Sequence, residues 1–147
     1  MQKIIKLFAT FFYIGYAPEA QGTLASLAAL FLYYFVKDNL SLYIFTVLFL
    51  IVSGFLVSGK AEEIFKKKDA SQITIDEASG MLVALFLIPP RWPYVIVGFI
   101  LFRLLDIIKP QPIRKLEGLK GSAGVMLDDI AAGVLTNVIL QTARLIF

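Results

Sequence analysis

The sequence predicts an all-α chain: a multi-pass helical membrane bundle, one domain over residues 1–147, led by an amphipathic interfacial helix. Three observations predict it. Hydrophobic residues make up 59% of the chain and the mean hydropathy is +0.80, where soluble domains hold about 45–50% apolar residues. The apolar residues form runs of helical length, separated by proline, glycine and lysine clusters. The lysines and arginines concentrate in alternate connections, the pattern left by repeated membrane crossing.

Residues 2–16 begin with Lys3 and Lys6 and continue into aromatic residues. A basic start before a short apolar run suits an interfacial helix, or a first core helix. No small-residue cleavage pattern follows Met1–Tyr16, so no cleavable signal peptide is expected. A loop over 17–22 leads to a short helix over 23–36, ended by Lys37-Asp38-Asn39. Residues 40–59 are mostly apolar, and about 20 such residues span about 30 Å of hydrocarbon. A polar stretch over 60–74 contains Lys66, Lys67 and Lys68. A helix over 75–88 begins with Asp76 and Glu77 and is broken by Pro89-Pro90-Arg91-Trp92-Pro93, because proline blocks helix continuation and restricts its predecessor. A helix over 94–109 stops at Lys109-Pro110, a basic loop covers 111–124, and the last helix runs over 125–146.

Alternating spans put the loops at Gly22, 60–75 and 110–124 on one side, with Lys60, Lys66, Lys67, Lys68, Lys109, Arg114, Lys115 and Lys120. Lys37, Arg91 and Arg144 fall on the other side. By the positive-inside rule the first side is cytoplasmic. All the acidic clusters described next fall on or just inside that face.

The chain has no cysteine and no histidine. That excludes a disulfide framework, a thiolate nucleophile, cysteine-based zinc sites, a histidine base and a phosphohistidine intermediate. Five carboxylates nevertheless sit among apolar residues: Asp76, Glu77, Asp106, Asp128 and Asp129. An ionised residue at a bilayer centre costs roughly 2.5–3.5 kcal/mol on insertion scales. Such groups persist when paired with each other, with cations or with a substrate. Without imidazole or thiolate, an oxygen-liganded hard cation is the natural partner.

Each cluster also has a structural reading. Thr74-Ile75-Asp76-Glu77 fits a capping box, but Gly80, three residues on, leaves room beside Glu77 for another backbone or a headgroup. Arg103, Asp106 and Lys109 are spaced as an intrahelical ion ladder; in an apolar helix its surplus positive charge suits an anionic ligand. Asp128 and Asp129 exceed what a helix N-terminus requires, and neighbouring carboxylates repel unless a cation or shared proton offsets them. Gly124, Asp128, Ala131 and Ala132 form a stripe that allows close packing. The Lys120-Gly121-Ser122-Ala123-Gly124 loop and the Gln21-Gly22-Thr23 turn open helices and could present N–H groups to phosphate, or serve as simple caps. Lys66–Lys68 read as a face toward anionic lipid. For a phosphate ester, the absence of cysteine, histidine, a D-x-D strand motif and a D-G-x-x-A-R arrangement leaves metal-activated water, with carboxylates holding Mg²⁺ and basic residues neutralising phosphate.

Three segments carry a resemblance: IDEASGM at 75–81, the GF-x-LFR-x-LD-x-x-KP-x-P-I-R stretch at 98–114, and G-x-MLDDIAAG at 124–133. The chain resembles the phosphatidylglycerophosphatase A family from about Gly15 to Ile139. The family's usual Pro-Gly-Thr followed by Gly-Ser is here Gln21-Gly22-Thr23-Leu24-Ala25-Ser26. The resemblance implies a Mg²⁺-dependent phosphatase of the bacterial inner membrane that converts phosphatidylglycerophosphate to phosphatidylglycerol and phosphate. On that basis Asp76, Glu77, Asp128 and Asp129 are expected to hold metal. Asp106 is expected as a ligand or water-orienting base, with Asp129 also counted as catalytic. Arg103 and Lys109 are expected on the phosphate, and Arg114, Thr23, Gly121 and Ser122 as substrate contacts. The expected partners are a phospholipid and the bilayer, with no nucleic acid. One rival is a cation-transport subunit, which predicts acids staggered through the membrane depth; another is a structural adaptor, which predicts tolerance of single Asp→Asn changes.

Overall fold

In the computed structural model, which describes residues 1–147, seven α-helices and one short 3₁₀ turn carry the chain, with no strand. Helix α1 (Gln2–Ala9) is amphipathic and shorter than the helix expected over 2–16. Tertiary contacts end it. The Thr74 N–H donates to the Ala9 carbonyl at 2.9 Å, and Gly15 packs so tightly on the Gln72 carbonyl that a Cβ there would collide with it. To reach that docking, Phe11, Phe12 and Tyr13 adopt left-handed conformations, with φ of 44, 56 and 68°, each costing roughly 1–2 kcal/mol. Thr10 braces the bend: its hydroxyl donates to the Lys6 carbonyl at 2.8 Å and accepts from the Tyr13 N–H at 3.0 Å. The 3₁₀ turn at Ile14–Tyr16 follows.

Helix α2 (Gln21–Val36) buries Ala25, Ala29 and Tyr33 and exposes Leu24, Leu27, Phe31 and Phe35. Helix α3 (Leu40–Phe65) begins at an Asn39 cap, whose side chain accepts from the Leu42 N–H at 3.0 Å. It runs six residues past the expected end at 59. Lys60, Ala61, Glu62 and Glu63 are good helix formers, so the change to polar sequence does not stop the helix. At 26 residues α3 is about 39 Å long.

Helix α4 (Ile75–Ala84) lies in the centre, with eight of its ten residues buried. At about 15 Å it is too short to cross a bilayer. It ends four residues before the expected 88 because helix α7 (Ser122–Ile146) takes over its terminal carbonyls: Asn137 Nδ2 donates to those of Ala84 and Phe86 at 3.1 and 2.7 Å. Leu87 then turns left-handed, at φ 58°. Glycines let α4 and α7 meet backbone to backbone. A Cβ on Gly80 would lie 2.6 Å from the Asp129 carbonyl, and one on Gly133 would collide with the Gly80 carbonyl. On the α3 side, Tyr43 Oη donates to the Leu82 carbonyl at 2.7 Å.

Helix α5 (Trp92–Ile108) starts with Pro93 in its first turn and ends at Lys109, left-handed at φ 48°. The segment expected as a loop over 111–124 contains the short helix α6 (Ile113–Glu117), and α7 starts at Ser122 rather than 125. Helices α3 and α7 are long and apolar enough to cross a membrane, and α2 is a shorter apolar helix. The outer faces stay apolar: Phe31 and Phe35 on α2, Phe45 and Val52 on α3, Ile96 and Ile100 on α5, and Val134 and Val138 on α7 are exposed. The N-termini of α2, α4 and α7 and the C-terminus of α5 gather at one end.

Candidate active site

The first turn of α4 carries Asp76 and Glu77, and the second turn of α7 carries Asp129. Carboxylate oxygens of the three lie within 4.8 Å of one another. Asp76 is 5% and Asp129 2% exposed. Asp76 Oδ1, Glu77 Oε2 and Asp129 Oδ2 are each buried without a hydrogen-bond partner. Burial, reinforced by the Glu77 charge, pushes the Asp76 carboxyl well above the ordinary carboxylate range. Burial also pushes Glu77 up to about 7, with the Asp106 charge adding to the rise and the Arg103 guanidinium opposing it. Charge on these groups therefore needs a cation. Three unsatisfied hard oxygen donors converging from two helices are the donor set that Mg²⁺ or a similar ion uses, so the acidic cluster could bind a metal.

The Gly80–Gly133 crossing creates this cluster. The space expected beside Glu77 is filled by the Asp129 backbone itself. The capping-box alternative is not adopted: Thr74 makes no side-chain cap bond and its hydroxyl has no partner. At the α2 N-terminus, Gly22 lies directly on the Glu77 carboxylate. A Cβ there would collide with Glu77 Oε1 and come within 3.1 Å of Arg103 Nη2. Thr23 sits half-buried beside it.

On α5, Arg103 Nη1 donates to Asp106 Oδ2, forming a largely buried ion pair. Arg103 Nε is buried without a partner. The expected ladder does not continue to Lys109. The left-handed backbone at Lys109 carries it off the helix, and its ammonium lies 2.6 Å from Asp128 Oδ2 and 3.2 Å from Glu117 Oε1. Asp128 Oδ1 accepts the Asp129 N–H at 3.0 Å, so both Asp128 oxygens have protein donors. Burial alone would lower the Lys109 pKa, but the bond to Asp128 outweighs it and holds the ammonium above its ordinary value. The Asp128–Asp129 pair is thus divided, Asp129 toward α4 and Asp128 toward Lys109. Glu117 was not singled out from the sequence; its only signal is being a lone acid in the 109–120 segment among Lys109, Arg114, Lys115 and Lys120.

Arg114 stands at the rim, where Lys68, Asp69, Glu117 and Gly118 line an open cavity of about 470 Å³ with it. Gly121 and Ser122 are not brought to the carboxylates. The Ser122 hydroxyl accepts the Gly59 N–H at 2.7 Å, tying α7 to α3, and both residues line a separate depression with Lys60, Lys66 and Lys67.

Residues 7–144 match a family model described as Phosphatidylglycerophosphatase A. The chain is 36% identical over 147 residues to a Bacteroides thetaiotaomicron protein described as "Putative phosphatidylinositol-3-phosphatase", covering 94% of this chain and 92% of that one. It is 36% identical over 137 residues to phosphatidylglycerophosphatase A of Escherichia coli, covering 91% and 80%. To phosphatidylglycerophosphatase A of Haemophilus influenzae it is 33% identical over 141 residues, covering 92% and 86%. No solved structure gives a significant match.

Proposed function

The chain belongs to the phosphatidylglycerophosphatase A family, and from that premise we propose that it is a Mg²⁺-dependent lipid phosphatase that hydrolyses phosphatidylglycerophosphate to phosphatidylglycerol and inorganic phosphate. The observation that carries this reading is the set of three unpartnered, buried carboxylate oxygens on Asp76, Glu77 and Asp129. These three residues would hold the ion. Bound there, Mg²⁺ supplies Lewis acidity, offsetting phosphoryl charge and making water a better nucleophile. Arg103, with a free Nε, binds phosphate oxygens, and its guanidinium is held in place by Asp106. Asp106 keeps its second oxygen to orient water and accept its proton. Lys109, fixed between Asp128 and Glu117, presents charge to the headgroup, with Arg114 further out and Thr23 beside the α2 end. Asp128 acts here by positioning Lys109 rather than as a metal ligand.

The same reading places the protein in the bacterial inner membrane as a single-domain, multi-pass bundle. Its two long helices exceed the about 30 Å of hydrocarbon, and its exposed surface is apolar along α2, α3, α5 and α7. The carboxylate end also carries most of the lysines, which supports a cytoplasmic orientation. The acids collect at that one end, which favours hydrolysis over a transport pathway. The test is phosphate release from detergent-dispersed phosphatidylglycerophosphate with Mg²⁺ and with chelator; no release with any divalent ion sinks the reading. A second reading, the same chemistry on a phosphorylated inositol headgroup, is favoured by the Bacteroides relative. Release from phosphatidylinositol 3-phosphate under the same conditions, compared by kcat/KM, decides between them.

A further inference from the structure

Two apolar grooves open on the outer surface. One, of about 300 Å³, lies between α3, α4 and α7 and is lined by Val134 and Val138, five and nine residues along α7 from Asp129. The other, of about 480 Å³, is lined by Tyr13, Ile14, Tyr16, Ala17 and Leu24. Leu24 shares the first turn of α2 with Gly22, which lies on the Glu77 carboxylate and beside Arg103; the two point about 200° apart, Leu24 outward and Gly22 toward the cluster, so only the N-terminal end of α2 separates the groove from the carboxylates.

We infer that this second groove and the α2 face below it are where the acyl part of the phospholipid substrate docks, with the headgroup passing over the N-terminal end of α2 into the carboxylate cluster. The inference rests on the phosphatase reading above and adds the route by which the lipid approaches. Below Leu24, which is 41% exposed, the stripe continues through Leu27, Phe31 and Phe35, Phe31 reaching 70% exposure. From Leu24 to Phe35 the helix rises about 16 Å, close to the half-thickness of about 15 Å of a hydrocarbon core. An acyl chain of one leaflet therefore has a continuous apolar track. At its upper end Tyr13 and Tyr16 have ring centroids 6.0 Å apart and are both exposed, and tyrosines favour the level of headgroup and ester. Tyr13 closes the left-handed run at Phe11–Tyr13. Strained backbone of this kind persists only where its surroundings over-determine it, and Thr10 and Gly15 do so here.

The test compares two lipids with one headgroup, dioleoyl and dihexanoyl phosphatidylglycerophosphate, on the full chain. Leu24→Gln and Tyr13→Ser change exposed positions, and circular dichroism checks the fold. Each is expected to raise KM for the dioleoyl lipid about tenfold, the loss of one large apolar contact. The kcat, and both constants for the dihexanoyl lipid, should stay within about twofold. Equal changes for both chain lengths, or none for either, overturn the inference. The chain lacks cysteine, so Leu24→Cys and Val138→Cys can each be modified with a bulky maleimide. Modification at 24 should block the long-chain lipid and spare the short one, while modification at 138 should spare both; the same loss at 138 overturns the inference. If the unaltered chain releases phosphate from neither lipid, the phosphatase reading falls and this inference with it.

Discussion

Lys109, just past the end of α5, leaves Asp106 aside and bonds Asp128 on α7 at 2.6 Å. That bond separates the two adjacent aspartates by role. Asp129→Asn is expected to abolish phosphate release, by at least about 10³-fold, and to weaken Mg²⁺ binding. Asp128→Asn should instead raise KM about tenfold and leave the Mg²⁺ concentration for half-activity within about threefold. Mg²⁺ titrations of both variants check this; a larger loss of Mg²⁺ affinity in Asp128→Asn would return that residue to the metal.

Metal should stabilise the fold through the same residues. Three buried carboxylates that repel one another are relieved when a cation binds, and at 100-fold saturation the linkage is about 2.7 kcal/mol. For a chain of this size that is a rise in Tm of about 5–10 °C, measured in detergent with Mg²⁺ against chelator. Asp76→Asn should lose the rise and, in chelator, melt above the unaltered protein, because the buried group no longer has to take up a proton or carry charge beside Glu77 when no metal is bound.

Two glycines near Glu77 should behave differently when replaced by alanine. At Gly80 the new methyl meets the Asp129 carbonyl at 2.6 Å and the Phe102 ring at 2.8 Å. The backbone cannot yield cheaply, so Gly80→Ala should cost about 1–3 kcal/mol of stability as well as activity. At Gly22 the methyl meets the ends of the Glu77 and Arg103 side chains, which can move. Gly22→Ala should therefore fold with a normal Tm and lose activity. Unfolding scans alongside phosphate release separate the two cases.

Arg103→Lys tests the guanidinium. Lysine keeps the charge but cannot bond Asp106 and phosphate together through a planar fork. A fall of about 10²-fold in kcat/KM is expected with Mg²⁺ dependence unchanged. Wild-type kinetics in that variant would remove Arg103 from the phosphate.

Much of this architecture was legible in the chain. Apolar runs broken at Asn39, Pro89-Pro90 and Pro110 marked most helices, because proline and caps act locally. Segment ends were less legible where they depend on distant groups. Helix α3 continues to Phe65 through polar helix formers, and α4 yields its last carbonyls to Asn137 on α7.

Composition and residue order alone specify an all-helical, strongly apolar chain with no imidazole or thiol, whose few acids sit where a cation, a basic partner or a substrate must offset them. Which acid faces which partner is set by how the helices pack. Adjacent residues on a helix point about 100° apart, so Asp128 and Asp129 must diverge, yet nothing in their order says which one meets α4. The backbone contact of Gly80 with Gly133 settles that, and the left-handed turn at Lys109 settles where Asp128 finds its counter-charge. Both are properties of how helices far apart in the chain cross, which spacing along one helix does not encode.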